Sequence, residues 1–412
     1  GKNPAFDQYY YAIFKTTRES LSGVESFHLA NPKLPGTFLP PKRSLFSFKD
    51  ISAKGLFPVK GETSWKVFPT EDDETTSLLT SIDLSKGDDD AANRGEAKCL
   101  ARIDDKVFAG LSDASINIYD VVKIKKAGKF TGQSGEIRCI RAEGEYVIAG
   151  STDKSIKVWK NPSMDSSSSS LRSMINMNHV NTARLEGHNA PVTCLDIVPR
   201  YEFLSDEMPF VVSGSEDRTI RVWRPSEETC LVVFIDGHKD KITCLASETS
   251  QFVSGSDDKN IILWEYGEST KAIKRFRGHS GSVKLLKFLD ANNFISGSVD
   301  GTVRMWDKRS KSTVGMFQGH SDGITCFEKG VVGSSTIVSG SSDRTICVWD
   351  IKKMDKEIFK LGGHNSQVNC VLISGSTLYS GGQDPELREW DLSNGYYIRS
   401  YVGHVGGINC LL

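Results

Sequence analysis

Histidine, serine and aspartate recur together along this 412-residue chain. His238, Ser254 and Asp258 form one such set. A positioned imidazole, hydroxyl and carboxylate are the groups with which a hydrolase attacks a carbonyl. The set returns as His188, Ser213 and Asp217, as His279, Ser296 and Asp300, as His320, Ser339 and Asp343, and as His364, Ser380 and Asp384. One active site needs one triad. Five regularly spaced copies cannot mark a single reacting centre, so no residue is assigned a catalytic role and no enzymatic activity is expected.

The trios belong to a longer pattern: Gly-His, some twenty residues, Ser-Gly-x-x-Asp, then five residues and a tryptophan, which falls at Trp223, Trp264, Trp306, Trp349 and Trp390. Gly-His pairs begin at Gly187, Gly237, Gly278, Gly319, Gly363 and Gly403, at steps of 50, 41, 41, 44 and 40 residues. A fixed period near 40 is the mark of a repeat architecture. Within each unit, short β-branched or alternating apolar runs are bounded by Gly, Ser and Asp. In the fourth unit these are Ile242–Leu245, Gln251–Ser254, Ile261–Trp264 and Lys274–Arg277. Four strands per unit make a small antiparallel sheet, and such a sheet buries both its faces only by stacking on its neighbours. Long helical periodicity is absent.

On these motifs the chain resembles the WD40-repeat β-propeller family, and the expected fold class is all-β. The resemblance implies that His, Ser, Asp and Trp of one unit form a hydrogen-bonded structural network. That fits the need of a buried imidazole, hydroxyl, carboxylate and indole N–H for mutual partners. Complete units carry their Asp at 113, 153, 217, 258, 300, 343 and 384, which makes seven. Beyond the seventh, Gly407–Leu412 reads as another first strand. Leu56–Phe68 aligns with Val211–Trp223 as a degenerate second and third strand, with Glu62 and Phe68 in the Asp and Trp slots, and Ser77–Leu84 would be the fourth. Eight blades are therefore expected, the eighth shared by the two ends, with seven as the alternative. Residues 55–412 form the propeller; residues 1–54 are a non-repeat segment, either a strap or the end of an upstream domain.

The pattern decays toward the start. The first unit has Gly95-Glu96, Ala109 and Tyr119 in the Gly-His, Ser and Trp slots, and the second has Ser134 near the His slot and Ala149 for Ser. Neither can complete the network.

Composition narrows the function. A net charge of −1 gives no bias toward nucleic acid or membrane surfaces, and no apolar run approaches the roughly 18–20 residues that span a bilayer. No secretory pattern opens the chain, which starts at Gly1 rather than Met. Of nine cysteines, Cys99, Cys139, Cys194, Cys244, Cys326, Cys370 and Cys410 share one slot of the first strand, where the fifth unit has Leu285. One thiol per unit at an inward position reads as small apolar core, not as disulfides or metal ligands. An intracellular, cytoplasmic, monomeric ring without cofactor or metal is expected.

Three features break the period. Asn161–Asn181, with Ser166–Ser170, places 28 positions between Trp159 and Gly187 where other units use about 14, and reads as a surface loop. Val198–Met208 lengthens the third unit with a mixture of aromatic and acidic residues suited to contact. Glu71–Glu74 and Gly87–Asp90 are acidic clusters that read as solvated turns. The first 50 residues contain Tyr9, Tyr10, Tyr11, Phe14 and Phe27 and several prolines, with no phosphate loop, F-box or kinase signature.

By resemblance, the loops before each first strand and between the second and third strands form the partner-binding face. Here these offer Lys241, Asp322 and Gln367, with Glu216, Asp257, Ser342 and Gln383 in the slot before each Asp. Their mixed charge points to protein or peptide partners, not to a phosphate-tracking surface. The expected function is a non-enzymatic protein-interaction scaffold. Alternatives are the substrate-receptor arm of a ubiquitin ligase and the C-terminal targeting propeller of a larger kinase, BEACH-domain or DENN-domain protein.

Overall fold

The computed structural model describes residues 97–412, except 122–124, 162–180, 199–207, 268–269, 311, 331–334 and 403–405, together with the backbone of 56–58, 64–67 and 81–83. Residues 1–54, the acidic clusters, the Ser166–Ser170 segment, most of the Val198–Met208 loop, Glu62, Phe68 and Gly403-His404 lie outside the described residues.

Seven four-stranded antiparallel sheets follow one another along the chain, over 97–130, 137–185, 192–234, 242–276, 283–318, 324–362 and 368–402. In the fourth, Ile242–Glu248 pairs with Gln251–Ser256, which pairs with Ile261–Glu265, which pairs with the outer strand Lys274–Phe276. Successive inner strands lie beside one another, so the sheets are blades of a ring. At this inner wall Thr193 donates to the Ile242 carbonyl at 2.6 Å, and Thr243 and Thr325 bond the Val283 and Val368 carbonyls in the same way.

The ring has seven blades, which corrects the expected eight. The reason is a missing ladder. A further blade would need Gly407–Leu412 as a strand paired to Leu56–Pro58. Among the described residues 407–412 forms no strand, and Leu56–Pro58, Ser64–Val67 and Ser81–Asp83 make a separate three-stranded sheet. The C-terminal residues instead bridge the seventh and first inner strands. Ile408 donates its amide to the Gly382 carbonyl at 2.6 Å and accepts from Asn369 at 3.1 Å, while the Cys410 thiol lies 3.5 Å from the Lys98 carbonyl.

The core lies between blades rather than within them. Phe234, Val212 and Val222 of the third blade pack on Ile242, Phe252 and Trp264 of the fourth, with Phe234 and Trp264 rings 4.9 Å apart edge to face. Ile295, Met305 and Phe317 of the fifth meet Ile337 and Trp349 of the sixth likewise. Aliphatic side chains and large rings together supply the burial that stabilises the stack. Close approach explains Ser-Gly. A Cβ on Gly255 would lie 2.6 Å from Cys244 Sγ and 2.8 Å from Val283 Cγ1 of the next blade. Only glycine opposite a small thiol lets the blades close at that spacing.

The seventh blade differs on its outward seam. Where the fourth, fifth and sixth carry Leu263, Met305 and Val348, it carries buried Glu389. That carboxylate accepts from Tyr401 Oη at 2.6 Å, Arg399 Nε at 2.7 Å and Tyr379 Oη at 3.4 Å, so the charge is paired where it is desolvated.

All nine cysteines are free. Burial pushes the Cys194 and Cys326 thiols up to about 12, and likewise raises Cys139, Cys244 and Cys370 well above the usual thiol range. At pH 8 a thiol of that kind is ionised on the order of one part in ten thousand. Iodoacetamide at pH 8 should therefore leave these five unmodified in the native chain and alkylate all of them after denaturation, read by peptide mass spectrometry. Alkylation of any of the five in the native chain would mean that the seams open.

Candidate functional site

Each of the third to seventh blades holds one continuous chain of hydrogen bonds. The imidazole Nδ1 of His188, His238, His279, His320 and His364 lies 2.8–3.0 Å from the nearest carboxylate oxygen of Asp217, Asp258, Asp300, Asp343 and Asp384. Nε2 lies 2.7–2.9 Å from Oγ of Ser213, Ser254, Ser296, Ser339 and Ser380. The indoles of Trp223, Trp264, Trp306, Trp349 and Trp390 donate to the same hydroxyls at 2.7–2.8 Å.

Donor counting fixes the protons. Each serine accepts the indole N–H and has one proton left, which goes to Nε2. Nε2 is then an acceptor, so the neutral imidazole carries its hydrogen on Nδ1 and donates it to the carboxylate. Burial lowers the His188 and His320 pKa despite the neighbouring carboxylates, in keeping with a neutral ring. Burial alone would raise the aspartates. Hydrogen bonds outweigh it, holding Asp217, Asp258 and Asp300 far below the carboxylate range and Asp343 at about 2. The serines are wholly buried and engaged on both sides. A hydroxyl so placed neither meets a substrate nor has a free base. Among the described residues no group of three His, Cys, Asp or Glu side chains could hold a metal ion.

Each carboxylate also reaches the surface. It accepts the backbone amide of the residue after the histidine, Asn189, Lys239, Ser280, Ser321 or Asn365, at 2.8–2.9 Å. It thereby ties the loop that enters a blade to the tight turn between that blade's second and third strands. Two contributors were not read from the sequence. Thr219, Thr302 and Thr345, two residues past the Asp, give Oγ1 to its second oxygen at 2.6 Å. Buried Ser215, Ser256 and Ser341 bond the entering loop at Ala190, Asp240 and Asp322 carbonyls, 2.9–3.0 Å away. Their signal was present as the second serine of Ser-Gly-Ser and as Thr at Asp+2. In these turns Arg218, Lys259 and Arg344 take φ of 69–70°, and the fifth blade has Gly301 there at 79°.

The first two blades lack the imidazole. Asp153 accepts Ser134 N at 2.8 Å and Oγ at 3.2 Å, and Gln133 Nε2 bonds the Ala149 carbonyl. Asp113 holds Ser115 and approaches Lys129 Nζ at 3.5 Å. The aromatic contact of the other seams is kept here, with the Phe130 ring 5.4 Å from Trp159.

The residues expected on a partner face lie on these tied loops and turns. Asp257 is engaged by Lys241 at 3.2 Å, by Lys284 at 2.8 Å and by Ser282, an ion cluster that the spacing did not show. Gln383 accepts from Ser366 at 3.2 Å, and Gln367 donates to Asn369 at 3.0 Å. The Glu216 and Ser342 amides are fixed to the Pro191 and Gly323 carbonyls at 3.0 and 2.9 Å, and the Asp322 carboxylate accepts the Gly323 amide at 2.6 Å.

A family model described as "WD domain, G-beta repeat" matches residues 124–160, 179–224, 228–265, 270–307, 311–350 and 355–391. The chain belongs to the WD40-repeat family. The match leaves out 97–123, the first three strands of the first blade, where the network is least complete. Among similar proteins, the DENN domain and WD repeat-containing protein SCD1 of Arabidopsis thaliana is 30% identical over 55% of this chain and 20% of its own length. The p21-activated protein kinase-interacting protein 1-like of Xenopus laevis is 37% identical over 25% of this chain and 29% of its own. The chain thus spans under a third of the length of either relative. The crystal structure of the computationally designed Ika8 protein matches at a TM-score of 0.64 and 25% identity, covering 77% of this chain and 90% of that one.

Two outcomes follow for the WD40 network. His320→Ala or Asp343→Ala leaves charge-assisted partners unsatisfied and should cost about 1–3 kcal/mol, read as a lower denaturation midpoint; an unchanged midpoint would show the network to be idle. The second concerns pH. His188 and His320 have folded values below the ordinary 6.5, so the unfolded chain takes up those protons first. Their contribution is complete above that value and is lost as pH falls below it. A second loss follows as pH falls from 3.8 toward about 2, when Asp343 protonates. Urea titrations at stepped pH should show both limbs.

Proposed function

We propose that this WD40 propeller is a non-enzymatic scaffold whose partner face is the set of tied loops and turns. The observation that carries the reading is the placement of each aspartate. One buried carboxylate holds two surface segments together, so each of the third to seventh blades presents a fixed pair of loops to the same side of a rigid ring. Glu216, Lys241, Asp257, Asp322, Ser342, Gln367 and Gln383 are the contact residues of this reading. Charge is mixed and locally paired around Asp257, which suits selective recognition of a protein or peptide. The Xenopus relative's name, which describes a kinase-interacting protein, supports partners of that class. Free, buried thiols suit a reducing compartment, and we place the protein in the cytoplasm.

A second reading is favoured by the plant relative, named for a DENN domain and WD repeats, whose similarity to this chain covers a fifth of it. Under that reading the ring is the targeting part of a longer protein. Sequencing the transcript through both ends separates the two: a long frame with a catalytic or exchange-factor domain supports the second, and a start codon just before Gly1 with a stop after Leu412 supports the free-standing scaffold.

The face itself is tested by reversing charge at two loops. Lys241→Glu combined with Asp322→Lys should remove at least one partner recovered with the wild-type chain by proximity labelling, without moving the denaturation midpoint. Retention of every partner would mean that another surface is used.

A further inference from the structure

One exposed side chain on the loop face is out of place. Among the described residues ten large apolar side chains are exposed, and nine of them stand on an outer strand or directly beside one. The tenth, Val299, is 49% exposed in the tight turn of the fifth blade, in the slot before the network aspartate. The other six blades fill that slot with Ser112, Thr152, Glu216, Asp257, Ser342 and Gln383. Polar residues suit such turns because their side chains bond nearby backbone, and a β-branched aliphatic gains nothing of that kind. A lone surface aliphatic needs no explanation by itself; the surroundings of this one supply it.

Val299 lies between two entering loops. Its amide donates to the Ser282 carbonyl at 2.9 Å, and a Cβ on Gly323 would lie 3.1 Å from its Cα. Gly281, where a Cβ would meet the Asp300 amide nitrogen at 2.7 Å, lets the first loop come close. Gly301 stands where the third, fourth and sixth blades carry Arg218, Lys259 and Arg344. These positions leave Val299 uncovered. Charge is separated across it. On the fifth-blade side Ser282 donates its hydroxyl to Asp257, beside which stand Lys284 at 2.8 Å and Lys241 at 3.2 Å, two ammoniums on one carboxylate. Asp240, beyond Lys241, is turned back on the Lys241 amide at 2.8 Å. On the sixth-blade side the Asp322 carboxylate accepts the Gly323 amide and has no ion pair among the described residues.

We propose that Val299 anchors the partner on this face, taking a short segment of a protein in which a leucine- or phenylalanine-sized side chain stands between a carboxylate and a cation. The apolar side chain covers Val299 and the glycine backbone beside it. The carboxylate reaches the surplus ammonium of Lys241 and Lys284, and the cation reaches Asp322. Binding energy concentrates at an apolar anchor within a polar rim, and the charges on either side fix its register. This anchor rests on the loop-face reading and narrows it to one blade and one chemistry.

The probe is a phage-displayed library of random dodecapeptides selected on the whole chain; enriched peptides are labelled with fluorescein and titrated by anisotropy. They should share a large apolar residue with an acidic residue on one side and a basic residue on the other. Val299→Ser, which copies the sixth blade's residue in this slot, should weaken them about tenfold without moving the denaturation midpoint, and Val299→Leu should retain them. Asp322→Lys, which puts cations on both sides, should weaken them about fivefold. Peptides that lose affinity on Glu216→Lys or Gln383→Lys but not on Val299→Ser would overturn the anchor and leave the loop-face reading standing. Peptides indifferent to every loop-face substitution would overturn both. No enrichment, or enrichment of peptides without that apolar and charged pattern, would overturn the anchor alone.

Discussion

The architecture turns on a carboxylate held out of water. In the third to seventh blades the aspartate of the tight turn is charged, largely desolvated and filled with donors: an imidazole N–H, the amide of the entering loop, and in several blades a threonine hydroxyl. Removing a charge from water is costly unless every lone pair is matched. Matching fixes the histidine tautomer, which fixes the serine proton, which leaves the serine oxygen to the tryptophan. A single orientation of four side chains follows, reaching from a surface turn to an inter-blade seam. Apolar burial alone would not choose that orientation, because it is non-directional.

This local order is what allows the blades to act as a ring. Each blade exposes apolar residues on both faces and is covered only by its neighbours, so a seam forms where a rigid tryptophan meets the face of the blade before it. Where the network is incomplete, in the first two blades, the Phe130–Trp159 ring contact is kept, as Phe234–Trp264 is between the third and fourth. At the outward face of the seventh blade the apolar pattern gives way to Glu389 with Arg399, Tyr379 and Tyr401. The C-terminal residues around Ile408 and Cys410 occupy the space between the last and first inner strands.

Much of this was legible in the sequence. The Gly-His to Trp period locates the blades, and the slots for His, Ser, Asp and Trp name the residues that are joined, because a repeated pattern reports a repeated environment. The number of blades was not legible. Counting degenerate copies treats Leu56–Phe68 and Gly407–Leu412 as partners, yet sequence similarity does not show which edges pair, and among the described residues no ladder joins them. The Glu389 cluster and the Lys241–Asp257–Lys284 group were also missed, since the first depends on the register of three neighbouring strands in one blade and the second on the approach of two blades. Thr at Asp+2 was visible as a residue but not as a role, since polar residues are common in any turn.

The central claim is that the aspartates make the loop face rigid, and native-state hydrogen exchange tests it directly. The amides of Lys239, Ser280, Ser321 and Asn365 begin loops that border solvent, yet each donates to a buried carboxylate. They should exchange as slowly as amides of the buried second strands, opening only when a blade opens. Exchange at the rate of unprotected loop amides would contradict the account, showing a face that moves independently of the ring beneath it.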